Sequence, residues 1–159
     1  MLVLNFCLIY IKILFQFNFY HTDSPKKTIY KIKVNKKNKI ISKKIFIKLS
    51  AQDGSPDGMT LDKNKNLWVA HFRGACISVF NSKAKLIHKI NFPAKNITNC
   101  AFGGKNAQEL FVSTATKGMS KADIQKFIYS GCLFSIKTNI KGILQKKFII
   151  NNEKKRSLL

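Results

Sequence analysis

Apolar and polar residues alternate in short runs along this chain, and turn-forming residues separate the runs. Over residues 28–34, Ile29, Lys31 and Lys33 alternate against Tyr30, Ile32 and Val34. Similar runs occupy residues 44–49, 59–61, 67–70, 76–80 and 86–92. The breaks between them carry the residues that bend a backbone: a lysine-rich loop at 35–38, DGSPDG at 53–58, the polar loop 62–66, Arg73-Gly74 and Pro93. A period of two between such breaks predicts short antiparallel strands in a meander. From Cys100 the pattern restarts, with runs at 100–102 (closed by Gly103-Gly104), 110–113, 132–136 and 146–149. Residues 116–129 interrupt it with an insertion of helical character around KADIQK at 121–126. Residues 17–22 alternate as a strand should, and 150–159 are a polar tail.

The runs repeat. Trp68 and Phe111 hold equivalent places 43 residues apart, and Tyr20 holds the earlier place, 48 residues before Trp68. A period of about 40–50 residues with four short strands is the signature of propeller blades. A β-sandwich also has short, regularly spaced strands, so periodicity alone leaves both open.

Residues 1–16 are apolar but make an anomalous leader. They have no basic start and no small-residue cleavage site, and Lys12, Asn5 and Gln16 interrupt the run. Nothing in them matches the turn-and-strand pattern of Asp57-Gly58-Met59, so the first blade is expected to lack its innermost strand.

Composition changes this picture little. A chain of 159 residues suits one domain, and 45% hydrophobic residues suit a packed core. The net charge of +22 points to an anionic partner. However, Arg73 and Arg156 are the only arginines, the residue type that reads phosphate in a bidentate way. The lysines are spread over loops and alternating strand positions, as on a solvated surface. Cys7, Cys76, Cys100 and Cys132 form no CxxC, and His21, His71 and His88 lie far apart in sequence. Neither a zinc pattern nor a disulfide framework emerges, which suits a reducing compartment. No Ser-His-Asp, Cys-His or Walker arrangement is visible, and Gly103-Gly104 opens no phosphate-binding helix.

Three segments, in order, carry a resemblance. They are YHTDSP with TIYKI (20–25 and 28–32), SPDGMTLDKNKNLWVAHFRGACISVF (55–80), and TNCAFGG with ELFVSTA (98–104 and 109–115). Together they resemble the SMP-30/gluconolactonase/luciferin-regenerating-enzyme (LRE) family, over residues 17–149. The resemblance implies an all-β fold, a partial β-propeller of about three blades, the C-terminal half of a closed six-bladed ring. It implies a divalent-metal-dependent sugar-lactone hydrolase, with a calcium-like or zinc- or manganese-like ion. It assigns Asp57, in the PDGM-like motif, as metal ligand and proton-transfer group.

The family's other site groups have no counterpart here: a glutamate near the propeller start, an asparagine on the innermost strand before TDSP, and polar contacts from the first half. One carboxylate cannot complete a hard-cation site of about 6–8 oxygens. The chain alone is therefore expected to be inactive towards a sugar lactone. It is expected to need a separately encoded N-terminal half, or to self-associate through open blade faces. A cytoplasmic location is expected, with no specific nucleic-acid partner; the apolar N-terminus leaves a membrane anchor or a signal segment as the alternative. The alternative, from another class, is a non-enzymatic basic β-domain that binds RNA or anionic lipid.

Without the resemblance, Asp57-Gly58 reads as a turn. Asp23 reads as a turn cap before Ser24-Pro25, and Trp68 as blade packing. His71 receives no role.

Overall fold

The computed structural model describes residues 10–15 and 18–143, with backbone only for the first of these segments. Three antiparallel sheets follow one another along the chain. The first contains β1 (Tyr10–Phe15), β2 (Asn18–Asp23), β3 (Thr28–Val34) and β4 (Ile40–Lys48). The second contains β5 (Ser55–Leu61), β6 (Leu67–Phe72), β7 (Cys76–Phe80) and β8 (Leu86–Asn91). The third contains β9 (Asn96–Gly103), β10 (Glu109–Ala115) and β11 (Leu133–Lys137). In each, every strand pairs with the next in sequence, as the short turn-bounded runs demand. These are three blades of a β-propeller.

Two elements differ from the sequence reading. β1 pairs with β2 (Tyr10↔His21, Phe15↔Asn18), so the first blade does have a strand in its innermost place. Backbone pairing needs no turn motif, and YIKILF is too uniformly apolar to show a period of two. In the second blade, β5 begins at Ser55, so Asp57 and Gly58 lie inside a strand and not in the preceding turn. The expected helix is present as α1 (Lys121–Lys126), closed by a capping box between Ser120 and Asp123. The run expected at 146–149, the polar tail and most of the leader lie outside the described residues.

Alternation places one face of each strand against the neighbouring blade. Between the first and second blades pack Ile29, Ile47 and Leu49 with Met59, Leu61, Leu67, Val69 and Phe80. Between the second and third, Trp68, Ala70, Ile77 and Val79 meet Ile97, Cys100, Phe102, Leu110 and Val112. Burying each such aliphatic side chain contributes about 1.5–3 kcal/mol. Trp68 stands edge-on to Phe102, ring centres 5.2 Å apart, which confirms it as blade packing. Its indole N–H donates to Asp62 at 3.1 Å. After β11 the chain returns across the second blade: the amide of Lys63 donates to the Lys141 carbonyl, and that of Ile143 to the Leu61 carbonyl.

Candidate functional site

Asp57 lies in a β-bulge. Pro56 pairs with His71 and Met59 with Val69, so β5 spends one residue more than β6 over that stretch. A bulge leaves its extra residue out of the ladder and re-aims its side chain. The third blade repeats the device: Ile97 pairs with Thr114 and Asn99 with Ser113, leaving Thr98 unpaired. Thr98 Oγ1 then sits 2.8 Å from Ser113 Oγ.

The neighbouring blade holds this bulge in place. Ser24 Oγ donates to the Pro56 carbonyl at 2.7 Å, and Thr22 Oγ1 lies 3.5 Å from the Asp57 carbonyl. Both hydroxyls come from the TDSP segment at the end of β2. On the other side, Asn99 of β9 covers Gly58, where a Cβ would fall 2.1 Å from Asn99 Oδ1 and 2.7 Å from its Cα. Asp57 is thus held by a strand from the blade before it and a strand from the blade after it.

Electrostatically, Asp57 is isolated. Burial pushes its carboxyl up to about 6, and the Gly58 amide offsets this only in part. Among the described residues its carboxylate forms no ion pair, despite the net charge of +22. A half-buried carboxyl that titrates near neutrality, with no structural counter-ion, is poised to exchange a proton.

The other sequence candidates are placed as follows. Asp23 accepts from the Lys26 amide at 3.3 Å and pairs with Lys26 Nζ at 3.1 Å, as a turn cap does. His71 is 1% exposed. Its Nδ1–H donates to the Asp53 carbonyl at 2.8 Å, and burial lowers its pKa, so the ring is neutral. Nε2 has no partner among the described residues. Thr22, Ser24 and Asn99 were not singled out by sequence reasoning. TDSP was noticed as a motif, but which carbonyls its hydroxyls reach depends on blade stacking.

The donor set does not fit a divalent cation by itself. Among the described residues no three His, Cys, Asp or Glu side chains come together. β1, the innermost strand before TDSP, reads YIKILF and contains no asparagine. Among the described residues, Asp57 therefore offers one anionic ligand without the rest of a shell.

Comparisons with known proteins place this geometry. The family described as the SMP-30/Gluconolactonase/LRE-like region matches residues 16–116. Regucalcin of Pongo abelii is 30% identical over 128 residues, covering 79% of this chain and 43% of the relative. Pentonolactonase XacC of Haloferax volcanii is 29% identical over 98 residues, covering 61% of this chain and 34% of the relative. Among solved structures, a luciferin-regenerating enzyme superposes with a TM-score of 0.72 at 26% identity, covering 80% of this chain and 43% of that one. The chain thus spans less than half the length of the curated relatives it matches. No described helix is long and apolar enough to cross a membrane.

Proposed function

Because the chain belongs to the SMP-30/gluconolactonase/LRE-like family, we propose that it is the Asp57-bearing part of a sugar-lactone hydrolase. The observation that carries this reading is the Asp57 carboxyl. It stands in a bulge on an innermost strand, without a counter-ion, and burial has pushed it up to about 6. A general base of that pKa is largely ionised at neutral pH and still takes a proton readily.

In the reaction, a water oxygen attacks the lactone carbonyl carbon and Asp57 accepts the proton that water loses. The ring C–O bond then breaks. The departing oxygen takes that proton back, leaving a hydroxy acid and a regenerated carboxylate. Thr22, Ser24 and Asn99 act as positioning groups, holding the backbone that carries Asp57. The divalent cation the family resemblance implies would polarise the carbonyl, and would draw its remaining ligands from outside the described residues.

The test is hydrolysis of a series of sugar lactones followed by pH-stat. It uses the 159-residue chain alone, and the same chain joined behind the N-terminal blades of a relative such as the Haloferax volcanii pentonolactonase. The reading predicts turnover by the joined protein and none above background by the chain alone.

A further inference from the structure

The innermost strand of the third blade repeats the bulge that carries Asp57, and a hydroxyl stands in the repeated place. Thr60 pairs with Trp68, and Asp57 lies three residues before Thr60. Ala101 pairs with Phe111, the residue equivalent to Trp68, and Thr98 lies three residues before Ala101. Asp57 and Thr98 are both half-buried. The residues that follow them, Gly58 and Asn99, are in contact: a Cβ on Gly58 would fall 2.7 Å from Asn99 Cα. The two bulges therefore lie side by side, and Thr98 is the neighbour of Asp57 across the join between the second and third blades.

The hydrogen bonds of Thr98 limit what it can recognise. Its hydroxyl donates to the Ser113 carbonyl at 3.0 Å. With that proton committed, Thr98 Oγ1 accepts from the Ser113 hydroxyl, 2.8 Å away. Each hydroxyl has one proton and two lone pairs. Both protons are spent within the pair, and only lone pairs remain. Such a pair accepts from an O–H group and offers nothing to a carbonyl or ether oxygen. Asp57, when ionised, is an acceptor as well. This corner of the site therefore selects ligands that bring their own donors: a water for Asp57 and a hydroxyl for Thr98.

Resting on the lactonase reading of Asp57, we propose that Thr98 recognises the hydroxyl on the ring carbon next to the lactone carbonyl. The substrate class is then a sugar lactone in which that hydroxyl is free. Asp57 serves the water that attacks the carbonyl carbon, so the group beside Asp57 meets the ring position beside that carbon. An aldonolactone carries a hydroxyl there, whereas a deoxy sugar lactone or a plain aliphatic lactone does not. Accepting that O–H fixes the rotation of the ring over Asp57. Ser113 is a positioning residue, because its carbonyl and hydroxyl hold Thr98 and leave it with lone pairs only. The contact is made before the proton moves, so it acts on affinity and not on proton transfer.

The experiment titrates the 159-residue chain with gluconolactam and with its deoxy analogue lacking the hydroxyl beside the carbonyl, followed by amide NMR. These lactams keep the ring and carbonyl of the lactone and resist hydrolysis, so binding is read apart from turnover. The expected result is binding that moves the Thr98 and Ser113 amides and is about tenfold tighter for the hydroxylated lactam. Thr98→Val keeps the shape and removes the hydroxyl. It should bind both lactams alike, with its circular dichroism unchanged. Thr98→Ser should restore the preference, which a purely packing role would not do. Equal binding of the two lactams by the parent would overturn the proposal. So would a preference that survives Thr98→Val, or one that Thr98→Ser fails to restore. Each of these leaves the assignment of Asp57 standing, because that is read as turnover by the joined protein.

Discussion

The side chain of Asn99 occupies the space that any side chain at residue 58 would need: a Cβ there would lie 2.1 Å from Asn99 Oδ1. The Asn99 backbone is nearly as close, with Cα at 2.7 Å, so rotating the amide does not relieve the clash. Gly58 is required by this close approach of two innermost strands. Gly58→Ala is expected to cost about 2 kcal/mol or more, read as a lower urea midpoint. Gly118→Ala probes a different requirement, since its backbone is in the left-handed region (φ 69°) and a Cβ there would meet only an Arg73 guanidinium nitrogen, at 3.2 Å. If Gly58→Ala matched the parent's midpoint, the packing of β9 on β5 would be wrong.

Asp62 is a second point of tension. It is 0% exposed. Its carboxylate accepts from the Asn66 amide at 2.8 Å, from Asn66 Nδ2 at 2.8 Å and from the Trp68 indole at 3.1 Å. Removing it strands three donors, two of them in a tight loop. Asp62→Ala is expected to destabilise the chain by about 3 kcal/mol. Trp68→Phe, which removes only the indole donor, should cost clearly less. Equal losses in the two variants would show that Asp62 acts through something other than this network.

Asp57 makes a pH-dependent prediction with the opposite sign to a salt-bridged carboxylate. Its folded pKa, about 6, lies above the ordinary value of 3.8. The folded state therefore binds a proton more tightly than the unfolded chain. The stability this contributes is complete below pH 3.8 and is lost as the pH rises through about 6. Above that, the fold carries a desolvated charge. Asp57→Asn should accordingly stabilise the chain at pH 7.5. The gain should shrink as the pH falls towards 3.8. Denaturant unfolding across this range measures it. A variant less stable than the parent at pH 7.5 would mean that the charge has an attractive partner.

The blades were legible in the sequence because alternation and turn residues are local signals. Trp68 and Phe111 marked equivalent places, and the structure puts Trp68 on the face towards the following blade and Phe111 on the open one. β1 was not legible, because its pairing with β2 rests on backbone hydrogen bonds and its residues lack a polar alternate face. Asp57-Gly58 read locally as a turn, since that dipeptide favours turns. Only the pairing of Pro56 with His71 and of Met59 with Val69 shows it as a bulge. The hydroxyls of Thr22 and Ser24 reach carbonyls more than 30 residues away. Such contacts follow from how blades stack, which a single strand's pattern does not encode.

Asp57 is proposed as the proton acceptor of a lactone hydrolase. The most direct measurement is the rate of lactone hydrolysis by the chain joined to a relative's N-terminal blades, with Asp57 and with Asp57→Asn. The expected result is a loss of about 100-fold or more in kcat, with the fold kept by circular dichroism. Turnover by Asp57→Asn equal to that of the parent would contradict it.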